Sequence, residues 1–193
     1  MAKLYFRYSA MNSGKTTMLI QAAHNYEERG MRPAVLKPAI DSKGENEIVS
    51  RIGARRIVDV LLDELAIPSQ EIARFAGSTA LHCVLVDEAQ FLQPKQVDDL
   101  FWFAVNEDIP VLAYGLRTDF RAKGFPGSTR LLELSHELQE LKTICRCGKK
   151  ALFNGRKVNG VFVSEGSQVA IDGEDQVEYE SLCAKCYKQQ VLQ

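Results

Sequence analysis

Eight consecutive residues near the N-terminus, Ser9-Ala10-Met11-Asn12-Ser13-Gly14-Lys15-Thr16, constrain this chain more than any other segment. They satisfy the pattern G-x-x-x-x-G-K-[ST] at every fixed position but the first, where Ser9 stands for glycine. Such a loop works only between a strand and a helix, because its anion site is made of backbone amides and a helix N-terminus. The flanks meet that demand. Residues 3–9 read as a buried strand entering the loop. Residues 15–29 read as a helix that buries Met18, Leu19, Ala22 and Tyr26 on one stripe and stops at Gly30. In this pattern Gly14 lets the backbone approach phosphates closely. Lys15 neutralises the terminal phosphates and the Thr16 hydroxyl binds Mg²⁺. Residues 9–16 are therefore the expected cradle of a nucleoside triphosphate.

A phosphate loop needs a partner carboxylate. The apolar run Cys83-Val84-Leu85-Val86 ends in Asp87-Glu88-Ala89-Gln90. In a parallel sheet, ligands bind at the carboxyl ends of strands, so Asp87 is the natural magnesium-side carboxylate. Side chains alternate along a strand, which leaves Glu88 for another task, such as accepting a proton from an attacking hydroxyl. Elsewhere, short strands are expected at 34–36 and 109–114, and helices at 69–76 and 94–105. Residues 57–65 are apolar but ambiguous, 116–127 read as a loop, 131–134 as a short apolar run, and 141–144 as a last strand. Alternating strands and helices point to an α/β fold of the P-loop NTPase kind, a mostly parallel sheet flanked by helices, over residues 1–144.

The composition shifts after residue 144. Cys145-Arg146-Cys147 and Cys183-Ala184-Lys185-Cys186 bracket a stretch of glycines and short β-prone runs such as 161–163 and 169–171. In a cytosolic chain, close cysteine pairs are more often metal ligands than disulfides. Four thiolates complete a tetrahedral zinc site with no open position, so the metal is expected to be structural. Residues 145–193 thus read as a small zinc-binding β module. Cys83 stands alone in an apolar run and reads as a core residue, and the three histidines are scattered.

Charge and length exclude several classes. With 24 Lys+Arg against 25 Asp+Glu in 193 residues the net charge is −1, against a chain that tracks nucleic acid with its whole surface. No apolar run approaches the ~20 residues of a membrane span. The N-terminal residues 1–7 carry charges where a signal peptide needs an apolar core, so a cytoplasmic location is expected.

Taken together, these residues resemble the cellular-type (type II) thymidine kinases. The resemblance rests on residues 5–16, 37–41, 50–53, 87–91, 114–125, 142–145 and 179–186. It implies transfer of the ATP γ-phosphoryl group to the 5′-hydroxyl of thymidine, with Glu88 as the catalytic base and residues 9–16, Asp87 and Gln90 around Mg-ATP. It implies that Phe91, Phe120 and Phe125 enclose the thymine ring. It also implies that Tyr179 closes a loop over the nucleoside, with Ala170 and Asp172 in that loop. Members are homotetramers inhibited by thymidine triphosphate, and Phe101-Trp102-Phe103 exceeds what one helix face can bury, which suits a subunit contact. Departures are Asp41-Ser42-Lys43 where members usually carry Asp-x-Arg, the tight Cys145/Cys147 spacing, and Asp172 in place of a glycine. Lysine lacks the forked contact of arginine. The competing reading is a phosphate-loop ATPase or nucleotide-dependent regulator acting on nucleic acid or a protein partner.

Overall fold

Strands that are apolar at every position must be covered on both faces, and the centre of this fold is built that way. The computed structural model describes residues 1–39, 46–168 and 176–192. In chain order its elements are β1 (Leu4–Ser9), α1 (Lys15–Glu27), β2 (Pro33–Pro38), β3 (Glu47–Val49), β4 (Arg55–Ile57), β5 (Val60–Leu62), α2 (Pro68–Ala76), β6 (Cys83–Val86), a 3-10 turn (Ala89–Phe91), α3 (Pro94–Asn106), β7 (Val111–Leu116), α4 (Pro126–Leu134), β8 (Glu137–Glu140), β9 (Phe153–Val158), β10 (Val161–Val163), β11 (Val177–Leu182) and α5 (Ala184–Val191). Six strands form one sheet in the order β5-β2-β6-β7-β1-β8. Every pairing in it is parallel.

The two-residue period of the strands sorts their side chains cleanly. Leu4, Phe6, Ala34, Leu36, Val84, Val86, Val111 and Ala113 lie in one buried cluster with residues of α2, α3 and α4. Val35, Cys83, Leu85, Leu112 and Tyr114 lie in another with Leu19 and Ala23 of α1. Within α1 the buried stripe runs through Leu19 and Ala23, while Met18 turns outward at 38% exposure. Helix α3 starts on a capping box, with Gln93 N–H donating to Gln96 Oε1 at 3.0 Å, and with Pro94 at its first turn.

Three expectations change. The last parallel strand is β8, not 141–144. Among the described residues it pairs with β1 alone, and it is a mostly exposed edge that carries charge, with Glu137 in an ion pair of 2.6 Å to Lys3. Hydrophobicity cannot mark such a strand. Leu141 packs just beyond it, and Ile144 is 74% exposed. The apolar run 131–134 is the end of α4. Of Phe101-Trp102-Phe103, Phe103 is buried and Phe101 stacks on His136 with ring centroids 4.9 Å apart, leaving only Trp102 well exposed.

Helix α4 rests directly on the 3-10 turn at Gly127. A Cβ there would lie 2.4 Å from the Leu92 carbonyl oxygen, 2.9 Å from that of Ala89 and 3.0 Å from that of Gln90. Backbone must move to admit a methyl group, so Gly127→Ala is expected to destabilise the fold by about 2–3 kcal/mol. A calorimetric melting scan checks this; an unchanged midpoint would mean that α4 slides freely.

After residue 144 the chain builds an antiparallel sheet in the order β10-β9-β11, capped by α5. The turn Asn159-Gly160 joins β9 to β10 with φ of 51° and 81°, the left-handed pair that a two-residue hairpin requires. The helix α5 was not legible as such beside the cysteine pair. The expected run 169–171 lies outside the described residues.

Candidate active site

The phosphate loop leaves β1 at Ser9 and enters α1 through Gly14, whose φ of 79° suits glycine. Ser9 is buried and busy. Its hydroxyl donates to the Ala10 carbonyl at 2.7 Å, accepts from Lys15 Nζ at 3.0 Å and shares a 2.5 Å hydrogen bond with Ser13 Oγ. Lys15 Nζ also reaches the Ala10 carbonyl at 3.2 Å. The serine in place of glycine therefore cross-ties the loop and parks the lysine beside it. Burial holds the Lys15 ammonium below its usual pKa, against the pull of Glu88 and Asp87.

Strand β6 ends beside this loop. Asp87 is 3% exposed, and Thr16 Oγ1 donates to its Oδ2 at 3.3 Å. Burial, then the neighbouring Glu88 charge, pushes Asp87 up to about 7. A buried carboxylate beside a hydroxyl is a hard-oxygen donor pair that fits Mg²⁺. Glu88 is turned by its own backbone, not by strand alternation. Its φ is 48°, a left-handed conformation costing roughly 1–2 kcal/mol for a residue with a Cβ. Strain of that kind concentrates at functional sites. The twist brings Glu88 into the wall of a cavity of about 380 Å³ that it shares with Met11, Lys15, Thr16 and Arg51. Gln90 Nε2 donates to Glu88 Oε2, and Gln90 Oε1 accepts from the Leu116 N–H at 3.0 Å. Gln90 is thus a buried strut between β7 and the Glu88 carboxylate.

The aromatic candidates form two groups. Phe91 and Phe125 meet edge to face with centroids 5.6 Å apart. Phe120 and Tyr179 are joined through Arg156, whose guanidinium lies 3.8 Å over the Phe120 ring and whose Nε donates to Tyr179 Oη at 2.9 Å. Arg156 is 4% exposed and donates further to the carbonyls of Ser167 and Gln168 at 2.7 and 3.0 Å. Those carbonyls end the stretch described before residue 169.

The four cysteines converge. The sulfurs of Cys145, Cys147, Cys183 and Cys186 all lie within 4.8 Å of one another, with Cys147 and Cys183 3.6 Å apart. Zinc–sulfur bonds of about 2.3 Å in a tetrahedron put sulfurs about 3.8 Å apart, so the cluster fits a metal of that kind. The Cys186 N–H, ahead of neighbouring thiols, lowers Cys183 to about 7. The Cys145 thiol, followed by Cys147 and Cys183, pushes Cys186 up to about 12.

Residues 2–187 match the family model described as thymidine kinase. A thymidine kinase of Ruegeria pomeroyi is 47% identical over 191 residues, covering 98% of this chain and 95% of the relative. The chain belongs to the thymidine kinase family. The thymidine kinase of Enterobacteria phage T4 is 47% identical over 188 residues, 96% of this chain and 95% of its own length. That of Legionella pneumophila (strain Lens) is 49% identical over 192 residues, 97% and 90% of the two chains.

Of the residues that carried the resemblance to thymidine kinases, residues 40–41 lie outside the described residues. So do Lys43 of the departing Asp41-Ser42-Lys43 stretch, and Ala170 and Asp172. Sequence reasoning gave no role to Arg156, Asn154, Ser181 or Arg51, although Arg51 and Ser181 lie in segments that carried the resemblance. Arg156 and Asn154 lie in the strand Phe153–Val158, where no spacing rule marks a buried arginine or amide. Among the described residues no helix is long and apolar enough to cross a membrane.

Proposed function

We propose that this chain transfers the γ-phosphoryl group of ATP to the 5′-hydroxyl of thymidine, giving thymidine monophosphate for DNA synthesis. The observation that carries this reading is the convergence of Lys15, Thr16 and Glu88 on one cavity, with Asp87 bonded to Thr16, in a chain of the thymidine kinase family. Residues 9–16 hold the triphosphate by backbone amides, and Lys15 leaves its parking place on Ser9 to meet the terminal phosphates. Thr16 and Asp87 hold Mg²⁺, which when bound neutralises charge on the phosphates. The Glu88 carboxylate takes the proton of the 5′-hydroxyl. The 5′-oxygen then bonds to the γ-phosphorus, and the bond to the β-phosphate bridging oxygen breaks with its electrons left on ADP. Gln90 fixes Glu88 for that step. Phe91, Phe120 and Phe125 enclose the thymine ring, Phe120 and Phe125 from buried positions, and Tyr179, with Ala170 and Asp172, belongs to the loop that closes on the nucleoside.

The four-thiol cluster suits structural zinc. Residues 145–193 then form the zinc module that bears the closing loop, and residues 1–144 the nucleotide-binding part. The same reading includes a cytoplasmic homotetramer, with exposed Trp102 as a candidate contact, and feedback inhibition by thymidine triphosphate.

An ATP-dependent transfer assay with Mg²⁺, comparing thymidine, deoxycytidine and no nucleoside, tests the reading. Thymidine-dependent product is expected. Hydrolysis of ATP indifferent to nucleoside would replace the kinase by a phosphate-loop ATPase.

A further inference from the structure

The phosphate loop is gripped from outside at its middle. Asn154 Oδ1 accepts from the Met11 N–H at 2.7 Å, Ser181 Oγ donates to the Met11 carbonyl at 2.5 Å, and Thr143 Oγ1 donates to the Asn12 carbonyl at 3.1 Å. Asn154 and Ser181 are register partners across β9 and β11, so one rung of that small sheet holds both the N–H and the carbonyl of Met11. Asn154 does more. Its Nδ2 donates to the Thr118 carbonyl at 2.9 Å, in the loop that carries Phe120 and Phe125. The residue is 2% exposed. Its partners have opposite polarity, one an N–H and one a carbonyl, and this fixes which way the carboxamide points. Met11 in turn lines the cavity that holds Lys15 and Glu88.

We propose that Asn154 is a positioning residue that couples the nucleoside site to the ATP site, an inference that rests on the thymidine kinase reading above. A nucleoside seated against Phe120 and Phe125 sets the position of the loop at Thr118. Through one buried amide, that position fixes the Met11 N–H and the phosphate loop with it. The link runs through two part-buried hydrogen bonds of a buried side chain, where an unmade partner is not cheaply replaced. Coupling between binding sites is reciprocal, so ATP tightens thymidine by the same factor that thymidine tightens ATP. Asn154 touches neither the reacting atoms nor the magnesium ligands in this arrangement.

The test measures binding of β,γ-imido-ATP with Mg²⁺ by titration calorimetry, with and without saturating thymidine, on the full chain. In the unmodified protein thymidine is expected to tighten the analogue at least about 5-fold, the lower end of usual coupling. In Asn154→Ala the factor falls to about one. Asn154→Asp keeps an acceptor for Met11 and loses the donor to Thr118, so its coupling falls as well. It decides the matter if the alanine variant does not fold. Ser181→Ala cuts a bond to Met11 but leaves the chain from Thr118 to Met11 intact, and retains coupling. A purely structural role would lower melting points without separating Asn154→Asp from Ser181→Ala. Full coupling in Asn154→Asp overturns the proposal, as does equal loss in Ser181→Ala. Independent binding of both ligands to the unmodified protein overturns it too, and leaves the kinase reading standing. Absence of thymidine-dependent transfer in the unmodified protein overturns that reading itself.

Discussion

Glu88→Gln is expected to lower the rate of phosphoryl transfer to thymidine by about 10²–10⁴-fold, the usual contribution of a positioned general base. The substitution keeps the shape of the side chain and removes its capacity to take a proton. The surroundings keep it in place. Gln90 donates to Glu88 Oε2, and a glutamine at 88 still offers a carbonyl oxygen to that bond. Its left-handed backbone is set by the turn into Ala89–Phe91 and is shared by both side chains. The contacts expected to hold ATP, the loop amides and Lys15, lie on other elements. Binding of a non-transferable ATP analogue should therefore stay within a few-fold of the unmodified protein. Single-turnover measurement of transfer, paired with analogue binding, checks both halves. Transfer at near-normal speed in Glu88→Gln would remove Glu88 from the role of base. Lost analogue binding would make it a phosphate-site residue instead.

Cys186→Ser is expected to abolish stoichiometric zinc and to lower the melting temperature by roughly 8–16 °C, the effect of about 4 kcal/mol in a chain of this size. The reason is the poverty of the core it leaves. The buried cluster of the C-terminal module comprises Cys145, Ala151, Leu182, Cys183, Tyr187 and Val191, and two of these are themselves members of the thiol cluster. Without a metal, little apolar surface remains to hold β9, β11 and α5 together. The damage should spread to the nucleoside site. Tyr187 Oη donates to the Phe120 carbonyl at 2.6 Å, and Arg156 of β9 stacks on the Phe120 ring. Weaker thymidine binding is thus expected alongside the lower melting point. Metal analysis together with calorimetry makes the measurement. Full zinc content in Cys186→Ser would show that the site needs only three thiolates.

Local pattern carried the phosphate loop, the acidic pair and the four cysteines. In each, the chemistry needs particular residue types at short range: amides and a lysine around phosphate, a carboxylate at a strand end, thiolates in close pairs. It also carried the central strands, as short unbroken apolar runs, and α1, α2 and α3, whose one-sided burial imposes a period that a sequence can display. Strand β8 escaped because an edge strand has no apolar period to show. Only the tertiary structure decided which way Glu88 points, since a left-handed φ and the Gln90 strut aim it, and neither follows from the alternation of a strand that ends at Val86. It likewise decided the place of Asn154, Ser181 and Arg156. These act across more than a hundred residues of sequence or inside a fully paired strand, where contact depends on how two sheets are packed and leaves no spacing to read.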